Sequence, residues 1–183
     1  INLSTKMIDV LAYEGQDVRR EVARRLTAKV SSKTPKILDL CCGVGVSTRA
    51  LARGFPNATT VTGVDTSNEM VSMAQFLSKH LKSIMSVMSI VAPLKYACHK
   101  LSSEPIASTD YFAGNAERTG LDAASFDLVT IMYAFHEAPR VGRRNMLSEA
   151  RRVLKPGGTL AVVDIDVNYE PSKSMLQGEP YIL

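Results

Sequence analysis

The sequence predicts an α/β domain built on a mostly parallel sheet with helices on both faces. Three observations predict it. Short β-branched or apolar runs alternate with helical periodicities along the chain. A glycine turn follows the first run directly. The last run, Thr159 to Ile165, is apolar on both faces, as strands buried between two helix layers are. The 183 residues, 45% apolar and 22% charged, suit one globular domain with its own core.

The elements follow in order. A first helix is predicted from Asp17 to Val30, because Val18, Val22, Leu26 and Val30 recur at i, i+4 spacing. Lys33-Thr-Pro35 ends it. Lys36 to Leu40 reads as a short strand, followed by Cys41-Cys-Gly-Val-Gly45 and a helix to Arg53. Thr59 to Val64 is β-branched and reads as a second strand. From Ser67 to Ala92, the residues Met70, Ala74, Leu77, Leu81, Ile84, Met88 and Val91 form one stripe. That predicts a helix of about 25 residues, roughly twice the usual length, with a capping box from Thr66 and Glu69 and a stop at Pro93. Lys95 to Pro105 reads as a loop. Tyr111 to Ala113 and Phe126 to Tyr133 are the third and fourth strands. A helix from Val141 to Leu154 stops at the Lys155-Pro-Gly-Gly158 turn, and the fifth strand follows. The chain is read as one domain over 1–183, with a helical segment at 1–35, a long helix and insertion at 67–110, and a tail at 167–183.

Charge and cysteines exclude several classes. The net charge of +4 is not gathered into one tract. Its Arg pairs, Arg19-Arg20, Arg24-Arg25, Arg143-Arg144 and Arg151-Arg152, fall on predicted helices and read as solvated faces, so no nucleic acid is expected as a partner. Cys41, Cys42 and Cys98 form no CxxC and no even set, which argues against a disulfide framework and a zinc site and for a reducing interior, cytoplasmic or organellar, rather than secretion. The most apolar stretch, Ile84 to Leu94, is too short to span a membrane. No secretory signal is visible, although a chain that starts at Ile1 gives that little weight.

Ligands of a doubly wound sheet bind beyond the carboxyl ends of the strands, where the strand order reverses. The Cys41–Gly45 turn stands at such an end. Its glycines let backbone approach a ligand, and the next helix offers free N–H groups. Asp65, twenty residues beyond Gly45, ends the second strand and can hold two ribose hydroxyls. An NAD(P)-binding oxidoreductase shares this much. Against it, Thr48 replaces the third glycine of G-x-G-x-x-G, and Asp39 suits an ammonium and a sulfonium better than a pyrophosphate.

From Lys36 to Asp166 the chain resembles class I S-adenosylmethionine (SAM) dependent methyltransferases of the small-molecule, ubiquinone/menaquinone C-methyltransferase type. Five segments in order carry the resemblance: Ile37-Leu-Asp-Leu-Cys-Cys-Gly-Val-Gly45, Val61-Thr-Gly-Val-Asp65, Gly114-Asn-Ala-Glu117, Phe126-Asp-Leu-Val-Thr130 and Leu154-Lys-Pro-Gly-Gly-Thr-Leu160. It implies a Rossmann-like sheet and SAM as cofactor, leaving as S-adenosylhomocysteine. It places Asp39, Gly43 and Gly45 around the methionine part. Asp65 would hold the ribose. Ser67 and Met70 would flank the adenine, and Asn115 and Ala116 would stand at its edge. Cys41, Thr66 and Met132 complete the cofactor-binding set. The family usually has aspartate at position 115, where asparagine accepts a hydrogen bond without charge.

Methyl transfer from a sulfonium is an in-line displacement, for which the protein mainly positions and desolvates. A small-molecule acceptor that must lose a proton needs a base. Tyr133, His136 and Glu137, after the fourth strand, are the candidates, His136 first because it is the only histidine near the predicted site. Asp164, Asp166 and Asn168 at the end of the fifth strand could bind a divalent metal, but no matching acid follows the fourth strand except Glu137, so no metal is expected. No Asn/Asp-Pro-Pro-aromatic motif follows that strand, which again disfavours nucleic acid. The long helix is expected to dock on the sheet; the competing reading leans Met85 and Met88 over a substrate pocket. The last two strands of the family sheet are missing from the prediction. The fifth strand then becomes an edge, covered by the tail from Asn168 to Leu183, by more chain in a longer protein, or by a second copy in a homo-oligomer.

Overall fold

The computed structural model describes residues 18–88, 106–166 and 168, with backbone alone over 81–88. Its elements are α1 (Val18–Thr27), β1 (Lys36–Leu40), α2 (Val46–Gly54), β2 (Thr60–Asp65), α3 (Asn68–Met88), β3 (Thr109–Ala113), β4 (Phe126–Met132), α4 (Arg140–Val153) and β5 (Leu154–Val163). The five strands form one parallel sheet in the order β3-β2-β1-β4-β5. The order reverses between β1 and β4, so the loops after these two strands meet at the switch point.

Two cores bury the two faces. On one, Ile37, Val61 and Leu128 pack with Leu51 and Ala52 of α2 and Ala23 of α1. On the other, Leu38, Leu40, Val129 and Ile131 pack with Met146, Ala150 and Val153, spaced i, i+4 and i+7 along α4. Alternation along β1 and β4 therefore sends neighbouring residues into different cores.

Several boundaries differ from the sequence reading. The third strand starts two residues earlier and the first helix is shorter at its C-terminal end. Ser67, not Thr66, caps α3: its hydroxyl accepts from the Met70 N–H at 3.2 Å and donates to Glu69 at 2.8 Å. The buried stripe of α3 runs through Val71, Ala74 and Leu77 rather than Met70. Lys155-Pro-Gly-Gly158 is an excursion within β5, since Phe126 pairs with Leu154 and Leu128 already pairs with Thr159. β5 itself is not buried on both faces. Ala161 and Val163 reach the α1/α2 core, while Leu160, Val162 and the following Ile165 stay exposed, because β5 is the sheet edge. The Met85 and Met88 side chains, the 95–105 loop and the tail beyond Asn168 lie outside the described residues.

Candidate functional site

The loop leaving β1 is built by left-handed backbone. Cys41, Gly43 and Gly45 have φ of 58°, 52° and 74°, a region that side chains other than hydrogen rarely adopt. The turn closes through Gly45 N–H to the Cys42 carbonyl at 2.8 Å, and Cys42 N–H ties it to Val64 of β2 at 3.0 Å. Arg49, buried on the first turns of α2, donates to the Val44 carbonyl at 2.8 Å. Burial lowers its pKa, against the pull of the nearby Tyr111 phenol.

Side chains fill the space under this loop. Asp39 is fully buried. One carboxylate oxygen accepts from the Ser47 and Thr48 hydroxyls and the other from Thr130, each at 2.7 Å. Desolvation still raises its pKa, against those three hydrogen bonds and the charge of Arg19. Thr48, the residue that breaks the glycine pattern, is thus one of the donors that hold Asp39. The Tyr111 ring lies against Gly45 and Gly63: a Cβ would meet its Cε1 at 2.6 Å at the first position and its Cδ1 at 2.7 Å at the second. The Tyr111 hydroxyl is buried and makes no well-formed hydrogen bond.

Above the loop is a cavity of about 220 Å³, lined by most of Cys41–Ser47 with Met70, Met132, Tyr133 and Arg19. Asp65 borders it through Gly43, whose N–H donates to one carboxylate oxygen at 2.8 Å, while the Ser67 N–H donates to the other at 3.0 Å. Burial pushes the Cys41 thiol up to about 12, with Asp65, Asp39 and Glu137 adding to it. The Cys42 thiol is also raised, by burial first. Both cysteines are therefore neutral wall residues rather than nucleophiles. Among the described residues neither is in a disulfide.

The second loop leaves β4. Tyr133 is left-handed, φ 57°, and its N–H bonds Val163 at 2.8 Å. His136 and Asp164 then pair twice: the His136 N–H donates to one carboxylate oxygen at 2.9 Å, and its Nδ1 lies 2.6 Å from the other. Desolvation raises the Asp164 pKa, but hydrogen bonds from the Ile165 N–H and from His136 outweigh it and hold the carboxyl below its ordinary value. The Glu137 carboxylate stands 3.7 Å from His136 Nε2. Asp166 accepts from the Asn168 N–H at 2.8 Å. Among the described residues no group of three or more His, Cys, Asp or Glu could hold a metal, and no helix is long and apolar enough to cross a membrane.

The structure therefore brings together Cys41, Gly43, Met70, Met132 and Tyr133 on one cavity, with Asp65 at its border. Asp39 and Gly45 lie in the support beneath it. Thr66 is exposed and Ser67 caps α3. Asn115 is exposed beyond β3, its side-chain oxygen accepting from the Glu117 N–H at 2.8 Å, and Ala116 is buried against the α4 core.

A family described as "Methyltransferase domain" matches residues 38–162. The chain belongs to that family of methyltransferase domains. Its cofactor is S-adenosylmethionine. Among relatives, the chain is 27% identical over 159 residues to a demethylmenaquinone methyltransferase of Lactococcus lactis, covering 87% of this chain and 52% of that protein. It is also 27% identical over 150 residues to a 2-phytyl-1,4-naphtoquinone methyltransferase of Synechococcus elongatus, covering 81% and 54%. The chain thus spans about half the length of these curated relatives. In fold it is similar to the YcgJ protein of Bacillus subtilis, with a TM-score of 0.60 and 22% identity over 89% of this chain and 56% of that one.

The residues present in this methyltransferase domain fit its cofactor. A Cβ at Gly43 would meet nothing within 4 Å, so the loop leaves open space for a ligand. The walls offer two thioethers, which suit an apolar sulfonium substituent, and an acid borders the space where β2 ends. Sequence reasoning missed four features of the site: Arg19, Ser47, Arg49 and Tyr111. Ser47 and Arg49 follow the glycines but carry no motif. Arg19 read as one of several basic residues on a helix, and only the packing of α1 brings it to the loop.

Proposed function

We propose that the chain transfers a methyl group from SAM to a small-molecule acceptor, with His136 as the base for an acceptor that must lose a proton. The observation that supports this most is the meeting of the β1 and β4 loops on one cavity at the switch point. When bound, SAM supplies an activated methyl on a sulfonium. The chain's own residues hold and desolvate. Gly43 leaves open room for the ligand against the loop backbone, Asp65 gives the acceptor for ribose hydroxyls, and Met70 and Met132 the apolar walls. Asn115 and Ala116 are proposed for the adenine edge, with Thr66 and Ser67 near it. The 2.6 Å contact of Nδ1 with Asp164 favours the tautomer whose proton sits on Nδ1, leaving Nε2 to accept one. Tyr133 and Glu137 stand on the same loop. The names of the relatives make a demethylated naphthoquinol the first acceptor to test.

Calorimetric titration separates this from an oxidoreductase: SAM or S-adenosylhomocysteine binds and NADH does not. The reverse result overturns the proposal. With an acceptor found, His136→Ala lowers kcat at least 100-fold, in the range of a lost general base, and Asp164→Asn lowers it with little change in cofactor affinity. Wild-type kcat in His136→Ala removes the base assignment. Binding without turnover against any acceptor, cured by a longer chain, identifies a binding half-site instead. Association through the β5 edge belongs to the same proposal, and light scattering tests it: a clean monomer counts against it.

A further inference from the structure

We infer that Arg19 recognises the carboxylate at the amino-acid end of the cofactor. The inference rests on the cofactor assignment above and concerns a residue outside the glycine loop and its matched segments. The argument begins with how α1 is placed. Ala23 is fully buried, and a Cβ at Gly54 would stand 2.9 Å from the Ala23 Cβ. This close approach pins α1 on the C-terminal end of α2, with Val22 and Leu26 packed beside it. Arg19 lies one turn before Ala23 and on the same helix face. That face carries its side chain past α2 to the mouth of the glycine loop, where it lines the cavity with Cys41–Ser47.

Three features give the position its chemistry. Among the described residues that line this cavity, Arg19 is the charged one. Its guanidinium carbon stands 4.4 Å from the centroid of the Tyr133 ring, a cation–π contact that orders a long side chain before any ligand arrives. Its charge also reaches the buried Asp39 beneath the loop, so it lies near the loop rather than out in solvent. The amino-acid end of SAM carries a carboxylate, an ammonium and, three carbons from the carboxylate, the sulfonium. A planar guanidinium matches a carboxylate with two parallel N–H donors and would repel the two cations. Arg19 thus sets which way round the amino-acid end lies, with its carboxylate toward α1 and its sulfonium toward Met132 and the β4 loop.

Paired ligands test this. S-adenosylhomocysteine has the amino-acid end; 5′-methylthioadenosine is the same nucleoside thioether without it. In the full chain, Arg19→Met is expected to weaken S-adenosylhomocysteine about 10- to 100-fold, the range of a charge-assisted hydrogen bond, and to leave methylthioadenosine within twofold. Arg19→Lys keeps the charge without the fork and falls between. Circular dichroism and thermal unfolding check that both variants fold; if the methionine variant does not, the lysine variant carries the comparison. Unchanged affinity for S-adenosylhomocysteine overturns the inference, and so does an equal loss for both ligands, which would mean that Arg19 only supports the loop. If the wild-type chain binds neither ligand, the cofactor assignment falls first and the inference with it.

Discussion

Gly43 and Gly45 share a left-handed backbone and differ in what surrounds them, so alanine at each separates support from binding. At Gly45 two penalties add. A side chain at φ 74° costs about 1–2 kcal/mol. Its Cβ would also fall 2.6 Å from Tyr111 Cε1 and 2.9 Å from the hydroxyl. The Tyr111 ring is packed between the glycine loop and α3, so relief requires repacking, about 1–3 kcal/mol more. Gly45→Ala should therefore destabilise the domain by about 2–5 kcal/mol. At Gly43 a Cβ meets nothing within 4 Å, and only the backbone penalty of about 1–2 kcal/mol remains. Gly43→Ala instead puts a methyl into the space proposed for the cofactor, and the loss appears in S-adenosylhomocysteine affinity. Urea unfolding measures the first effect and calorimetry the second. Tyr111→Leu provides the cross-check: it should offset part of the Gly45→Ala loss and none of the Gly43→Ala loss. Equal destabilisation at both positions, with no coupling to Tyr111, would refute the view that the loop is supported from below by this ring.

Two further predictions concern buried carboxylates. At Asp39, alanine strands three hydroxyl donors and should destabilise by about 2–4 kcal/mol. Asparagine can keep all three contacts if Thr130 turns to accept from the amide and donates to the Leu38 carbonyl, 3.5 Å away, so Asp39→Asn should stay within about 1 kcal/mol of wild type at neutral pH. The pH dependence has a definite sign. Because the folded pKa of Asp39 is raised, its contribution is fully favourable below the unfolded value near 3.8. It is lost as pH rises through the folded value, and Asp39→Asn should abolish that component of the slope. Asparagine as damaging as alanine in urea unfolding would refute this. Glu149 has the opposite sign: Arg152 first, and then the Thr119 hydroxyl and N–H, outweigh desolvation and hold it down to about 2. Its stabilisation is present above about 4.5 and lost as pH falls from there through about 2, roughly 2–3 kcal/mol in all. An unaltered acid-unfolding profile in Glu149→Gln would disprove it.

The strand–helix alternation and the glycine loop were legible in the sequence because each depends on local pattern: short β-branched runs and left-handed turns. What was not legible depends on packing between distant segments. Thr48 looks like a departure from a glycine motif, yet its hydroxyl needs only Asp39 beside it and room against Gly63, where a Cβ would stand 3.0 Å from Thr48 Oγ1. Arg19 looks like any helix-face arginine until Ala23 and Gly54 fix where α1 lies. Met70 fits the α3 stripe by spacing, but the Ser67 cap and the burial of Val71 rotate it toward the cavity. For Thr48 and Arg19 the deciding contact comes from another element.

The site is asymmetric in a way that follows from the sheet. In register, Asp39 pairs with Gly63 on one side and Thr130 on the other. Gly63 leaves room for Tyr111, Cys42 and Thr48, and Thr130 supplies a hydroxyl. Polar side chains from three strands and α2 are therefore consumed beneath the loop, where they fix its left-handed turns. The upper surface, among the described residues, is left to the glycine-loop backbone, two thioethers and Arg19. A carboxylate aimed upward from Asp39 would have joined Asp65 in making the mouth of the cavity strongly acidic, good for a sulfonium and hostile to the carboxylate three carbons away. With Asp39 turned under and bonded to the Ser47, Thr48 and Thr130 hydroxyls, the same loop can accept a ligand that carries both signs of charge. Arg19 then decides which end of it lies where.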